Sequence, residues 1–327
     1  MDDEIRARRA RCTDTFQGNG LLRPAELLGS IPPDTAEDLY GDGGVVADLE
    51  RHVADLLGKP AAVFLPSGTM AQAATLRVHA DRRASRTVLW HPYSHLAVHE
   101  SEAYARLHHL VGRPAGELER LLTLADLTAV AEPVAALLLE LPQRDLGGRI
   151  PAWDDLVAQT GWARERGAAV HLDGARLWEA TAGYDRSPAE IAALVDTVYV
   201  SFYKGVGALP GCCVAGAEAD VAQVREWRHR LGGTLFALWP AAASAMSLLP
   251  GTLAEMPARL AHARAIAAAV ADVPTVRVVP DPPQTPMLHL LLSTTPQRYA
   301  AAAKRLADET AEERVRRGRR DAEVPGD

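Results

Sequence analysis

Cysteine is scarce in this sequence, with three among 327 residues. So few cysteines cannot form a disulfide framework in a chain of this length, and this usage is typical of a reducing compartment. Cys212 and Cys213 are adjacent in the stretch GCCVAG, which indicates small buried residues in a strand. We therefore expect a cytoplasmic protein with an ordinary hydrophobic core.

Long apolar runs and excess positive charge are also missing. The N-terminal MDDEIRARRARC lacks the apolar segment of a signal peptide. The longest uncharged run, 234–254, contains Pro240 and Pro250, so it predicts a buried helix with a break near its end and not a membrane span. The net charge of -7 argues against a general nucleic-acid binder. We expect a small-molecule ligand, with no nucleic acid and no membrane as partner.

Helical and strand patterns alternate over the first part of the chain. Val46, Leu49 and Val53 share one helical face, and Gly58 stands where such a helix would end. Strands separated by helices predict an α/β fold with a mainly parallel sheet and helices on both faces. We assign this large domain to residues 1–250. The apolar runs that predict its strands are 61–65, 87–90, 135–141, 168–172 and 197–202.

The pattern changes after about residue 250. Segments 275–279 and 287–292 are typical of two strands joined by a proline-rich turn, and 299–314 is typical of a helix. These elements predict a smaller α+β domain over residues 251–327 that ends in a charged tail. An arginine-rich tail of this length in an acidic protein indicates a solvated segment more than a nucleic-acid patch.

Lys204 follows a predicted strand and precedes the glycine-rich stretch GVGALPG. It is either an ordinary solvated loop lysine or an amine that its apolar neighbours desolvate. Desolvation favours the neutral amine, which is the form that makes a Schiff base with a carbonyl compound. The glycines also allow a flat cofactor to approach the backbone.

Asp173 ends another predicted strand, 31 positions before Lys204. One βαβ step separates the two residues, so we expect them at adjacent strand ends, where open α/β sheets bind ligands. The Asp173 carboxylate either caps the following helix or keeps a pyridine nitrogen protonated, which makes the ring an electron sink. Arg176, three residues further on, is suited to bind an anionic group.

Ser67, Gly68 and Thr69 stand between a predicted strand and a predicted helix. Backbone N–H groups at a helix N-terminus form a phosphate cradle, although Ser-Gly-Thr is also an ordinary helix start.

His95 follows the strand predicted at 87–90 and is suited to stack on an aromatic cofactor or to act as a base near neutral pH. His91 and His99 raise the alternative of a metal site. The sequence lacks HExxH and paired Cys/His spacings, so we predict no metal. A phosphate cradle, a histidine, an aspartate and a lysine in this order together predict a pyridoxal 5'-phosphate enzyme.

The sequence resembles the threonine aldolases, also described as β-eliminating lyases, among the fold type I pyridoxal-phosphate enzymes. The resemblance spans roughly residues 12–211, and the pattern HLDGAR followed by KG.GA..G is its most specific part. The matching stretches are CTDT, YGDGGVVADLERHVADLLGKPAAVFLPSGTMAQ, SHLAVHE, GGRIP, VHLDGARLWEA and SFYKGVGALPG.

The resemblance implies a role for each cofactor-binding position. Lys204 looks like the lysine that joins the cofactor aldehyde, and Asp173 looks like the partner of the pyridine nitrogen. His95 looks like the histidine stacked on the cofactor ring. Gly68 and Thr69 look like phosphate ligands.

The resemblance also implies how substrate and subunits are arranged. Arg176 looks like the arginine near the cofactor hydroxyl and the substrate carboxylate, and Thr13 stands where the family usually has a serine that contacts that carboxylate. Family members are dimers or tetramers with active sites at subunit interfaces, so we expect a homodimer or homotetramer. Tyr40 falls in the segment that a neighbouring subunit often contributes.

Three features depart from the family pattern. Gln143 occupies the place of a second active-site histidine, which leaves the identity of the base open. Tyr203 replaces the serine that usually precedes the lysine. The C-terminal segment does not align with the family region that supplies a further arginine for the substrate carboxylate.

The resemblance implies retro-aldol cleavage of L-threonine, allo-threonine or a related β-hydroxy amino acid to glycine and an aldehyde. Lys204, Asp173 and His95 are the expected catalytic residues, with His95 as the candidate base. Two alternatives stay open. One is β-elimination to ammonia and a keto acid, and the other is a cofactor-binding protein with little activity because its small domain is incomplete.

Overall fold

A seven-stranded sheet forms the centre of the protein. The structure, a computed structural model, describes residues 24–322, with side chains described for residues 24–309. The strands are β1 (Ala61–Leu65), β2 (Thr87–Trp90), β3 (Val111–Pro114), β4 (Ala136–Glu140), β5 (Ala169–Gly174), β6 (Thr197–Ser201) and β7 (Cys212–Gly216). Their order across the sheet is β1-β7-β6-β5-β4-β2-β3.

Helices connect and cover these strands. The first six are α1 (Pro24–Gly29), α2 (Gly44–Leu56), α3 (Gly68–Arg83), α4 (His95–Val98), α5 (Ala103–Arg106) and α6 (Leu124–Thr128). A 3-10 turn (Arg144–Leu146) comes next, and the following five are α7 (Trp153–Glu165), α8 (Leu177–Tyr184), α9 (Pro188–Ala192), α10 (Glu218–Arg230) and α11 (Trp239–Ala269).

The sheet is mainly parallel, as the sequence predicted. Each adjacent pair among β3, β2, β4, β5 and β6 is parallel, whereas β7 is antiparallel to both of its neighbours, β1 and β6. Cys212 and Cys213 in β7 are fully buried, which confirms their interpretation as small core residues. The predicted strand β1 is also confirmed at its bounds.

Side chains of β1 alternate between the two faces of the sheet. Ala62 and Phe64 belong to the core on the side of α2, α7, α8 and α11. Val63 and Leu65 belong to a second core, which includes residues of α3 and α10. Because successive residues of a strand point to opposite faces, a continuous apolar strand requires helices on both sides. This arrangement confirms the predicted three-layer α/β fold.

The helix α11 runs unbroken from Trp239 to Ala269, with Pro250 and Pro257 inside it. The sequence predicted a break near Pro250, and that prediction was wrong. A proline removes one backbone hydrogen bond and crowds the preceding turn. Here Leu249 and Met256 are buried against the core, so packing maintains the helix through both prolines. No helix within residues 24–322, α11 included, is long and apolar enough to cross a membrane.

Two short antiparallel strands and a long helix follow α11. They are β8 (Val276–Val279), β9 (His289–Leu292) and α12 (Pro296–Ala322). The predicted pair of strands and the predicted helix are therefore confirmed, while the domain boundary at residue 250 stays a prediction because α11 spans it. Leu290, Leu291 and Leu292 are each at least 40% exposed, so both faces of β9 are accessible.

Candidate active site

A cleft of about 200 Å³ opens where the polypeptide leaves β5 and β6. Gly68, Thr69, His95, Asp173 and Lys204, which the sequence predicted to share one site, all line this cleft. Parallel strands bring these residues together because their carboxyl ends lie at one edge of the sheet. The other lining residues are Pro66, Ser67, Gln72, Glu100, Tyr199, Tyr203 and Pro210.

The N-terminus of α3 forms one wall of the cleft. Ser67 is the N-cap of this helix, yet its side chain makes no capping hydrogen bond. The first N–H groups of a helix have no partner within the helix, and the helix dipole places partial positive charge there. This wall therefore suits an anionic group such as a phosphate.

Asp173 lies in β5 and is only 1% exposed. Its Oδ1 accepts a hydrogen bond from the backbone N–H of Ala175 at 3.1 Å. In the sheet register it pairs with Glu140 of β4 on one side and Tyr199 of β6 on the other. A buried carboxylate at this edge is suited to pair with a cationic ring nitrogen.

Lys204 comes three residues after the end of β6. Its Nζ lies 6.0 Å from the centroid of the Tyr199 ring and 5.7 Å from that of the Tyr203 ring. An aromatic face within about 6 Å of a cation attracts it. Tyr203, which departs from the family pattern, is therefore part of the surroundings of the lysine amine.

His95 is the first residue of α4, and two carboxylates hold it. Its Nδ1 lies 3.0 Å from Glu100 Oε1, and its backbone N–H donates to Glu140 Oε2 at 2.9 Å. The hydrogen bond to Glu100 raises the pKa of the His95 imidazole, against the opposing effect of its partial burial. Asp173 raises this pKa further and Lys204 lowers it, which shows that all four groups share one electrostatic environment.

Glu100 and Glu140 are the residues that sequence reasoning missed. Glu100 is 5% exposed, and burial raises the pKa of its carboxyl. Burial and then the charge of Asp173 raise the pKa of Glu140 to about 8. The signals available were an acidic residue at the end of the buried strand ALLLE and another five positions after His95.

Arg176 lies at the N-cap of α8 and is not among the residues that line the cleft. Its Nη1 forms an ion pair with Glu179 Oε1 at 3.0 Å. Burial raises the pKa of Glu179, while Arg176 and more weakly Lys204 lower it. Arg176 therefore lies beside a carboxylate that is itself close to the lysine. Thr13 lies outside the described residues.

Gln143 is 3% exposed and does not line the cleft. Its Nε2 donates to the carbonyl oxygen of Tyr93 at 2.9 Å and to Glu140 Oε2 at 3.2 Å. Gln143, at the place of the second family histidine, thus makes its hydrogen bonds outside the cleft lining. Within residues 24–309 no group of three or more His, Cys, Asp and Glu side chains is arranged to hold a metal ion.

A mainly parallel α/β sheet with a lysine, an aspartate and a histidine at one edge defines the class of fold type I enzymes. Comparison with known proteins agrees. The model of the family described as β-eliminating lyase matches residues 34–293. The crystal structure of a "putative L-allo-threonine aldolase" from Listeria monocytogenes EGD-E superimposes with a TM-score of 0.90 at 36% identity, covering 94% of this chain and 87% of that chain.

Two curated proteins show the same relationship. The chain is 33% identical to "Aldolase vrtJ" of Penicillium aethiopicum over 76% of its own length and 66%, just under two thirds, of that protein. It is 27% identical to "Probable low-specificity L-threonine aldolase 2" of Arabidopsis thaliana over 90% of its length and 87% of that protein. This chain belongs to the β-eliminating lyase family, a family of pyridoxal-phosphate enzymes whose threonine aldolases are aldehyde-lyases.

Proposed function

We propose that this protein uses pyridoxal 5'-phosphate to cleave L-threonine, L-allo-threonine or a related β-hydroxy amino acid to glycine and an aldehyde. The observation that carries the proposal is the convergence of four groups on one cleft. They are the N-terminus of α3, His95, Asp173 and Lys204. The aldolase relatives support this reaction over others of the family.

The residues present fit the cofactor. The α3 N-terminus, with the Gly68 and Thr69 N–H groups, suits the phosphate, because Ser67 makes no side-chain cap there. The buried Asp173 carboxylate suits the pyridine nitrogen, and the Lys204 amine suits the aldehyde. When bound, pyridoxal phosphate supplies an electron sink for the negative charge that develops at the substrate Cα.

Side chains of this protein bind the substrate and transfer the proton. Arg176 binds the substrate carboxylate, for which it must exchange its present partner, Glu179. His95 Nε2 accepts the proton of the β-hydroxyl group, because Nδ1 is occupied by Glu100. A well-placed base of this kind contributes about 10²–10⁴-fold to the rate. The Tyr199 and Tyr203 rings flank the Lys204 amine, with centroids 6.0 and 5.7 Å from Nζ.

β-Elimination is the second candidate function, and the description of the matching family favours it. The same lysine and aspartate would serve that reaction, with the difference that a group leaves from Cβ and ammonia and a keto acid are released. Product analysis separates the two candidates. Glycine and aldehyde in equal amounts support the aldolase, whereas keto acid and ammonia alone would overturn it.

The cofactor assignment has its own test. Purified protein supplied with pyridoxal phosphate is expected to absorb visible light, and Lys204→Ala is expected to abolish the band that depends on the covalent bond. Absence of any such band in the unmodified protein contradicts cofactor binding. A band without any product supports the third alternative, in which the site binds cofactor but has little activity.

A homo-oligomer in the cytoplasm is part of this proposal. Tyr40 and Phe236 are 52% and 66% exposed, and their rings contact each other edge to face at 5.4 Å between centroids. Exposed aromatic pairs are typical of surfaces that pack against another protein. Light scattering coupled to gel filtration should give the mass of a dimer or tetramer, and replacement of Tyr40 and Phe236 by serine should lower it.

A further inference from the structure

The contact between His95 and Glu100 is closed to solvent on one side and open to the cleft on the other. Glu100 is 5% exposed, whereas the His95 side chain is 28% exposed. Both residues line the cleft, and His95 Nδ1 lies 3.0 Å from Glu100 Oε1. Glu100 Oε2 is also buried and has no hydrogen-bond partner. The only side-chain hydrogen bond described for the Glu100 carboxylate is therefore the one to the His95 ring.

This contact determines which ring nitrogen carries the proton. An ionised carboxylate only accepts hydrogen bonds, so Nδ1 of His95 must donate to Glu100. In a neutral imidazole the other nitrogen, Nε2, is then an acceptor. The backbone N–H of His95 donates to Glu140 at the start of α4, so both the backbone and the Nδ1 side of the ring are held.

The other charged groups around His95 have opposite effects on its pKa. Asp173 on β5 raises the pKa of His95 and Lys204 after β6 lowers it. Glu140 on β4, whose own pKa burial raises to about 8, accepts a hydrogen bond from the His95 backbone N–H. The His99 ring lies 5.0 Å away, centroid to centroid, and bonds instead to a partly buried carboxylate, Asp145. Among these groups Glu100 has the largest effect on His95, and the two are in direct contact.

We propose that Glu100 is a positioning residue for His95, which fixes the Nδ1–H tautomer and directs Nε2 to the cleft as the proton acceptor. The proposal rests on the function given above for His95. During the reaction the β-hydroxyl O–H bond breaks, an Nε2–H bond forms, and Glu100 stays ionised beside the resulting imidazolium. The Cα–Cβ bond breaks as the aldehyde C=O bond forms, and the proton on Nε2 then passes to the substrate Cα to give glycine, so no further reactant is needed.

The first test is an NMR titration of His95 in the full-length chain, with and without pyridoxal phosphate. The His95 signal is identified by its loss in His95→Asn. In Glu100→Gln the pKa of His95 is expected to fall by about one unit, a tenfold loss of proton affinity, because a contacting negative charge is removed. An unchanged pKa overturns the proposal.

A matched control is available at the neighbouring pair of His99 Nε2 and Asp145 Oδ2, which are 2.9 Å apart, with His99 exposed and Asp145 partly buried. Asp145→Asn removes a carboxylate from the same region but leaves the Glu100 contact intact. In Asp145→Asn the pKa of His95 is expected to stay within a few tenths of the original value. A shift as large as that of Glu100→Gln would show a general effect of charge and would overturn a specific role for Glu100.

The second test uses the pH profile of kcat/KM for glycine release. The acid limb is expected to move to lower pH in Glu100→Gln, together with the NMR pKa, and kcat is expected to fall more than KM rises. Glu100→Asp keeps the charge but lengthens the contact, so its acid limb should move in the same direction by a smaller amount and kcat should fall. If Glu100→Gln does not fold, a lowered NMR pKa of His95 in Glu100→Asp supports the contact and an unchanged pKa contradicts it.

The two proposals fail in different ways. A protein that releases no glycine but shows the Glu100-dependent His95 pKa would overturn the aldolase function and leave the positioning contact intact. A protein that releases glycine with an unaltered acid limb in Glu100→Gln would retain the function and exclude the positioning role.

Discussion

The hydroxyl of Tyr199 lies against the Cα of Gly68, in the space that a β-carbon at position 68 would take. This contact joins Tyr199, the middle residue of β6, to the first residue of α3. Glycine is needed there because the backbone of the helix and the buried tyrosine approach so closely. The anion-binding wall of the cleft therefore depends on a residue that has no side chain.

Gly68→Ala should disturb this wall. The added methyl group must displace Tyr199 or the first turn of α3, which costs about 1–3 kcal/mol of stability. Loss of one aligned N–H contact should also weaken pyridoxal phosphate binding about tenfold. Urea unfolding and cofactor titration measure the two effects.

The companion variant for this test is Gly68→Ala combined with Tyr199→Phe. Removal of the hydroxyl leaves the Tyr199 Cζ position 3.0 Å from the ideal β-carbon, so recovery of stability should be partial. If the double variant is less stable than Gly68→Ala alone, the contact between the two residues is not the cause.

Asp173→Asn should fold normally but lose activity. The amide oxygen still accepts the Ala175 N–H bond, so the turn after β5 is preserved. The negative charge opposite a cationic ring is lost, which should lower kcat about 10²–10³-fold. Asp185→Asn at the exposed end of α8 is the control, because asparagine tolerates its left-handed conformation with φ 53°. A kcat for Asp173→Asn within tenfold of the original would contradict the role of the carboxylate.

The position of the cleft could be predicted because it follows from topology. Asp173 and Lys204 end consecutive parallel strands, and a single βαβ step fixes them as neighbours. The role of Glu100 could not be predicted, because it depends on the turn after α4 that returns residue 100 to the His95 ring. Arg176, predicted to bind cofactor and substrate, lies outside the cleft lining and pairs with Glu179. This pair has ordinary helical spacing, so the sequence gave no distinct signal for it.

Gln143→His should not improve activity, although it restores the residue that the family resemblance implies. The Gln143 amide donates to Tyr93 O and Glu140 Oε2 and lies outside the cleft lining. A histidine there loses at least one of these bonds, so we expect a loss of about 1–3 kcal/mol in the free energy of unfolding. Steady-state kinetics measures the activity, and urea unfolding measures the free energy of unfolding.

A matched variant separates the site from the general cost of replacing a buried glutamine. Gln159, which donates to Leu122 O at 2.7 Å, is also buried. Gln159→His should cost a similar free energy of unfolding and leave kcat unchanged. A kcat that rises in Gln143→His would show that this position reaches the substrate after all.

Acid should destabilise the protein through two buried histidines. His171 lies between Gln72 Oε1 at 2.7 Å and Thr197 Oγ1 at 2.8 Å, and His79 Nε2 contacts the same Thr197 oxygen at 2.8 Å. Burial lowers the pKa of each imidazole from 6.5 to about 3. Between these values the unfolded chain binds protons that the folded chain does not, so the free energy of unfolding falls as the pH falls below 6.5. The stabilisation from the two neutral histidines is complete above pH 6.5. Below that pH each histidine lowers the free energy of unfolding by about 1.4 kcal/mol per pH unit.

His79→Gln should therefore flatten the pH dependence of stability. Glutamine does not titrate, so between pH 6 and pH 4 the slope should decrease by about 1.4 kcal/mol per pH unit, whatever the variant's stability at pH 7. His109 is exposed and has φ 53°, which asparagine also adopts, so His109→Asn should leave the slope unchanged. Urea titrations at several pH values measure these slopes. Parallel plots of the free energy of unfolding against pH for the original protein and His79→Gln would mean that His79 takes up its proton in the folded state. The prediction that His79 and His171 stay neutral when buried would then be wrong.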